Sequence, residues 1–239
     1  MERYIRTVCG ICDAVGVQRH SSKKIDICFD EWGVWEIPDK EVQAAVENAP
    51  WQIAPSFSEQ IYTMEDALLF ASMMMNFLRC SDRVKIACQS LLTNISACIM
   101  TERDVWVQPI YYPFALMAKY GRGVVLDERS EGPSYASGEF AQVPVIDKVA
   151  VWNENAGEVV LFLVNRSEEA AETEIDLQGF EAEMILESTV LHHEDKKAAN
   201  QIQHDRVVPK TCENVSLKDG KVTCELLPLS FEMVRVKVK

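Results

Sequence analysis

The run Phe29-Asp30-Glu31-Trp32-Gly33-Val34-Trp35 directly follows the strand-like Ile25-Asp26-Ile27-Cys28. A carboxylate delivered at the C-terminal end of a buried strand and flanked by two indoles is how a barrel enzyme offers a nucleophile to a sugar ring. Glu31 is therefore the first candidate for the reacting group. The commoner fate of such a residue is to be an ordinary solvated carboxylate at a strand end.

Outward from this run, helical and strand patterns alternate up to Gly123, the mark of parallel β/α units. Apolar residues at Tyr4, Ile5, Val8, Ile11, Cys12 and Val15 form a helical stripe over residues 1–17, and residues 25–29 form a short apolar strand. Residues 63–79 read as a helix with Thr63 as N-cap and Asp66 at its third position. Its middle, with Met73, Met74 and Met75, is apolar nearly all round and predicts a helix packed on two sides. Residues 83–89 are a second strand, and residues 109–120 a helix that Gly121 ends. The stretch 36–60, with Pro38, Pro50, Pro55 and the isolated Trp51, is too long for an ordinary connection; such loops are usually functional or mobile, and this one would overhang the active face. Beyond Gly123 the pattern changes to the alternation of β-strands. Residues 149–152 and 158–164 flank Asn153-Glu154-Asn155-Ala156-Gly157 as a hairpin, and further strands are expected at 171–177, 183–191, 221–226 and 232–238.

Composition narrows the function classes. At 239 residues and 48% hydrophobic, the chain can bury one large core or two small ones. A net charge of −13 repels phosphate backbones and anionic headgroups, which argues against nucleic-acid and membrane partners. No stretch approaches the roughly 20 apolar residues of a membrane span, and the first residues lack a signal-peptide core, so a cytoplasmic location is expected. The eight cysteines are spread over a long chain, and several, including Cys28, Cys88 and Cys98, stand where apolar side chains belong; buried reduced thiols are expected. Cys9-Gly10-Ile11-Cys12 has redox spacing but falls inside a helical stripe, with no strand before it.

Residues 29–35 resemble the nucleophile motif of glycoside hydrolase family 51, the α-L-arabinofuranosidases, where the run commonly reads Asp-Glu-Trp-Asn-Val-Trp. The likeness continues in Ile61-Tyr62-Thr63-Met64-Glu65-Asp66-Ala67-Leu68-Leu69, Asp82-Arg83-Val84-Lys85-Ile86-Ala87-Cys88, Ile99-Met100-Thr101-Glu102, Ile110-Tyr111-Tyr112-Pro113-Phe114 and Tyr120-Gly121-Arg122-Gly123. Residues 149–166 and Leu227-Pro228-Leu229-Ser230-Phe231 are similar to the family's C-terminal β-domain. The resemblance implies an α/β plus all-β chain: residues 1–122 as the C-terminal portion of a (β/α)8 barrel, about its last two β/α units, and residues 123–239 as an antiparallel, jelly-roll-like β-sandwich. Family members are roughly twice as long, and their acid/base glutamate sits in an Asn-Glu pair on the fourth barrel strand. Retention at a sugar needs two carboxyl groups about 5 Å apart, and one of that pair is recognisable here.

Each candidate residue carries a plainer alternative. By resemblance Glu31 attacks the anomeric carbon of a furanoside and forms a glycosyl-enzyme that water releases, while Asp30 supports the site. Trp35 offers a flat apolar face for stacking on a sugar or for packing in the core, and Trp32 reads as core. The sequence departs from the family at Gly33, where asparagine is usual, and at Leu91, which matches a glutamine that hydrogen-bonds the sugar. Gln89 shares Leu91's strand parity and is the candidate substitute, although two residues along a strand move a side chain about 7 Å. Asn94 is assigned to loop hydrogen bonding. The Asn153-Glu154 pair is a turn rather than the missing acid/base, and His192-His193 with Glu194 and Asp195 reads as a solvated strand end rather than a metal site.

Two functions remain in view. In one, the chain is the C-terminal half of an arabinofuranosidase, acting on arabinose-containing oligosaccharides once the N-terminal barrel half, if separately encoded, is supplied; no metal or organic cofactor is implied. In the other it is a non-catalytic remnant or accessory module. Two parallel strands cannot close a barrel, so the isolated chain is expected to be inactive and to self-associate as a homo-oligomer.

Overall fold

The computed structural model describes residues 1–35, 40–51, 53 and 59–239. The chain begins with α1 (Glu2–Gln18), β1 (Ile27–Trp32), α2 (Lys40–Glu47), α3 (Met64–Arg79) and β2 (Val84–Gln89). β1 and β2 pair in parallel, with α3 as the crossover between them. Helix α1 covers the expected stripe, buries Ile5 and Cys9, and holds Cys9 and Cys12 in mid-helix rather than at its start. Within the long stretch expected as a loop, α2 is an eight-residue helix; the neighbourhoods of Pro38 and Pro55 lie outside the described residues.

α3 starts where the sequence places it. The Asp66 carboxylate accepts both the Thr63 backbone N–H at 2.8 Å and the Thr63 hydroxyl at 2.7 Å, which satisfies groups that the first helical turn leaves open. The helix then buries Met64, Ala67, Phe70, Ala71, Met75 and Phe77 on more than one side. After β2 come the short hairpin β3 (Cys98–Met100) and β4 (Val105–Val107), and α4 (Tyr111–Tyr120) with Gly121 at its C-cap.

The remainder is antiparallel: β5 (Val124–Val125), β6 (Ser134–Ser137), β7 (Phe140–Pro144), β8 (Ile146–Asn153), β9 (Glu158–Asn165), β10 (Ala171–Ile175), β11 (Ala182–Leu191), β12 (Lys210–Thr211), β13 (Val215–Lys218), β14 (Lys221–Leu226) and β15 (Ser230–Val238). A six-stranded sheet in the order β12-β11-β15-β9-β8-β5 faces a three-stranded sheet, β10-β14-β13. Between them Val159, Leu161, Val234 and Val236 of the large sheet meet Val222 and Leu177. The opposite face of the large sheet is also covered: Val149, Val160, Phe162, Val164, Phe231 and Met233 join one cluster with Ile5, Trp32, Phe70 and Met75. Every residue of β9 is therefore buried, and between Glu158 and Asn165 its sequence is a continuous apolar run instead of an alternating one. The chain is thus a mixed α/β protein dominated by sheets, with an antiparallel sandwich in its C-terminal part.

Polar ties reinforce this junction. Arg79, in the last turn of α3, donates to Asp147 at 3.0 Å and to the Lys148 carbonyl at 2.6 Å, so the helix end is fastened to β8. Arg235 lies over the Tyr120 ring, 4.5 Å from its centroid, and donates to Glu158 and Glu187 at 2.7 and 2.8 Å. Gly123, at φ 145°, has no room for a side chain: a Cβ would stand 2.0 Å from the Trp152 carbonyl oxygen, where β5 meets β8. The eight cysteines are free thiols. Cys28 and Cys88, expected inside, are exposed instead, because they alternate with Ile27, Phe29 and Ala87, which take the face turned toward α3. Among the described residues no helix is long and apolar enough to cross a membrane.

Candidate active site

Parallel pairing brings the C-terminal ends of β1 and β2 to one edge, and an irregularity decides what is shown there. Phe29 pairs with Ala87 and Trp32 with Gln89, so three steps along β1 are matched by two along β2. The extra residue falls at Asp30-Glu31. A bulge of this kind turns side chains off the regular alternation, and here Phe29 and Trp32 both reach the core while the two acids between them are both exposed. Trp32 is 6% exposed and packs with ring centroids 4.6 Å from Phe70 and 4.9 Å from Phe77. It anchors the strand so that Glu31 points away from the helices.

Glu31 is not left without a neighbour. Its Oε1 accepts a hydrogen bond from the Ser90 hydroxyl at 3.3 Å, across from the first residue after β2. Gln89, half-buried, turns its amide onto the Ser90 carbonyl, also at 3.3 Å. Trp35 stands 54% exposed three residues beyond β1, and the Val34 carbonyl before it accepts the Tyr62 hydroxyl at 2.9 Å. The geometry thus gathers Glu31, Gln89 and Ser90 at the ends of two adjacent strands and places Trp35 on the segment that leaves this edge. Leu91 is 55% exposed beside them. Around Gly33 nothing lies within 4 Å of where a Cβ would be, so the position borders open space. Ser90 and Tyr62 are participants the sequence reading missed; a serine after a strand and a buried tyrosine carry no spacing signal of their own.

Other candidates fall elsewhere. Asn94, in the left-handed region at φ 62°, accepts the Met100 N–H at 2.7 Å and so shapes the loop before β3. Asn153 ends β8 and accepts the Ala156 N–H at 3.2 Å inside the β8–β9 turn, which places Asn153-Glu154 between two antiparallel strands. His192 and His193 follow β11, are half-buried rather than fully solvated, and line a cavity of about 490 Å³ with Glu168, Lys196 and Leu229. His193 Nδ1 takes the Asp195 N–H at 3.0 Å, and Lys196 pairs with Glu168 at 2.9 Å. Among the described residues no group of three potential metal ligands converges.

Comparison with known proteins finds relatives along the whole of the chain. A family model described as the α-L-arabinofuranosidase C-terminal domain matches residues 30–230. The chain is 39% identical over 239 residues to the intracellular exo-α-(1→5)-L-arabinofuranosidase 1 of Bacillus subtilis, covering 99% of this chain and 47% of that protein. It is 40% identical to the corresponding enzyme of Halalkalibacterium halodurans, over 100% of this chain and 48% of that one. A solved family 51 α-L-arabinofuranosidase from Bifidobacterium longum superposes with a TM-score of 0.87 at 29% identity, over 99% of this chain and 46% of the other. The chain spans about half the length of the curated relatives it matches.

Proposed function

Because the chain belongs to the α-L-arabinofuranosidases of glycoside hydrolase family 51, corresponding to their C-terminal half, we propose that it carries the nucleophile of a retaining furanosidase at Glu31. Residues 1–122 then form the C-terminal portion of a (β/α)8 barrel, with β1 and β2 as two of its strands, and residues 123–239 form the β-sandwich domain. The observation that carries this reading is the bulge at Asp30-Glu31, which turns a carboxylate out at the C-terminal end of a parallel strand, where barrel enzymes keep their reacting groups.

In the reaction, one Glu31 oxygen attacks the anomeric carbon as the leaving oxygen takes a proton from a second carboxyl group, and water then releases the sugar with that second group acting as base. The acid/base comes from the half of the relatives that this chain does not span. Trp35 stacks on the sugar face, and Gln89 supplies the hydrogen bond that Leu91 cannot make. The relatives are named exo-α-(1→5) enzymes and intracellular; an arabinose-containing oligosaccharide met in the cytoplasm is the matching substrate. The test is to mix this chain with a separately produced N-terminal barrel half and follow hydrolysis of an aryl α-L-arabinofuranoside. Activity that appears on mixing and is abolished by Glu31→Gln supports the assignment; a folded complex without turnover, or undiminished turnover in Glu31→Gln, refutes it.

A second reading, a non-catalytic remnant that self-associates, has its own observation. Apolar side chains stand exposed around β1 and β2, among them Ile86 at 53%, Leu92 at 60%, and Tyr4 and Ile11 of α1 at 66% and 60%. Surface of this kind favours association. Light scattering on the isolated chain distinguishes the cases: a clean monomer that turns over arabinofuranosides would remove this alternative.

A further inference from the structure

Behind the candidate nucleophile runs a chain of hydrogen bonds that leaves from Glu31 and returns three residues later. Ser90 donates its hydroxyl to Glu31 Oε1 at 3.3 Å. The Ser90 carbonyl accepts the Ser96 hydroxyl at 2.9 Å. The Ser96 carbonyl accepts the Gln108 side-chain amide, which also donates to the Gln60 carbonyl at 2.9 Å. The Gln108 side-chain oxygen accepts the Tyr62 N–H at 2.8 Å, and the Tyr62 hydroxyl donates to the Val34 carbonyl at 2.9 Å. Gln108, Tyr62 and Ser96 are 2%, 2% and 1% exposed.

We propose that Gln108 is a positioning residue for this site, holding Glu31 through Ser96 and Ser90 and holding the Val34-Trp35 segment through Tyr62. The inference rests on Glu31 as the nucleophile. Three unconnected segments meet at one amide: the strand-like lead into α3 at Gln60 and Tyr62, the loop after β2 at Ser96, and the turn before α4 that contains Gln108 itself. A primary amide suits this junction because it offers one acceptor and two donors in a plane, and each is used. Buried groups so paired are costly to separate, so the loops after β1 and β2 cannot shift independently. The consequence for chemistry is that one oxygen of Glu31 is engaged by a hydroxyl while the other has no hydrogen-bond partner among the described residues and can attack, and Trp35 is held on a segment tied to the same network. Orientation of this kind is a large part of what a site contributes to rate.

The test needs no hydrolysis, so its outcome is separate from that of the mixing assay. In the full chain, the side-chain carboxyl carbon resonance of Glu31 is assigned by its disappearance in Glu31→Gln. It is then followed in Ser96→Ala, Gln108→Met and Gln108→Glu, alongside hydrogen exchange at the amides of residues 32–35 and of β9. Expected is a displaced Glu31 resonance in Ser96→Ala and Gln108→Met, although neither residue touches Glu31, and exchange at residues 32–35 faster by about tenfold with β9 unchanged. Gln108→Glu, which keeps the acceptor for Tyr62, restores part of the exchange protection. A Tyr62→Phe chain should accelerate exchange at the same residues while leaving the Glu31 resonance in place. An unmoved Glu31 resonance in Ser96→Ala, or exchange in the Tyr62→Phe chain that rises equally in β9, overturns the proposal.

Discussion

Replacing Glu232 by glutamine should make this protein more stable above neutral pH, and the size of the gain follows from where the residue sits. Glu232 lies on β15, in register with Val190 on one side and Leu163 on the other, and is fully buried. Its carboxyl group receives the Leu227 N–H at 3.4 Å and the Cys212 thiol at 3.7 Å; the first is long for an N–H donor and the second is a weak donor, so together they do not replace lost hydration. Burial therefore lifts Glu232 from 4.5 up to about 7. At about 1.4 kcal/mol per pH unit, that difference costs the native state about 3 kcal/mol once the group is ionised. The sign follows from proton uptake: below 4.5 the folded and unfolded chains are both protonated, and between 4.5 and about 7 only the folded chain keeps its proton. Stability is therefore lost as pH rises through this window and is level beyond it. The neighbouring thiols do not interfere, since burial pushes Cys212 up and Cys224 up to about 12. Urea unfolding of both chains across this range gives the difference directly, with contributions from distant carboxylates cancelling. Glu232→Gln should exceed the parent by about 3 kcal/mol at about pH 8 and match it near pH 4. A gap that does not change with pH would show that ionisation of Glu232 is not what the fold resists.

Three further outcomes can be measured on the same chain. Trp32→Ala removes a ring packed against Phe70, Phe77 and Phe114 and should cost about 3–5 kcal/mol in urea unfolding. Thr63→Ala deletes the hydroxyl that Asp66 accepts at the start of α3 and should cost about 1 kcal/mol, with the unfolding slope unchanged. Arg235→Ala leaves Glu158, 3% exposed, as a buried carboxylate without its partner. The expected loss is about 3–5 kcal/mol, and an Arg235→Ala, Glu158→Gln double variant should recover part of it.

What was legible in the sequence was whatever is decided locally. Thr63 and Asp66 announce the start of α3, Gly121 the end of α4, and the run 153–157 a turn, because caps and turns are made by residues within a few positions of one another. Parallel pairing of β1 and β2 could be inferred from strand–helix–strand order alone. The bulge at Asp30-Glu31 could not, since it is set by the register against Ala87 and Gln89, and a neighbouring strand leaves no trace in the run itself. Nor could Gln108, whose partners lie 46, 48 and 12 residues away. The hairpin of β6 and β7 is short and exposed along most of its length, so it has no apolar face for periodicity to detect. In β9 the expectation of alternation fails for a tertiary reason: helices cover one face and a second sheet the other.

α3 shares one apolar cluster with Phe29 and Trp32 of β1 and with Phe162 and Phe231 of the large sheet. Heat or denaturant therefore finds no seam between these layers, and calorimetry should record one melting event instead of two. The same wall limits the engineer: lifting the sandwich out as a portable tag strips one of its sheets of its covering, unless the helix is carried along with it.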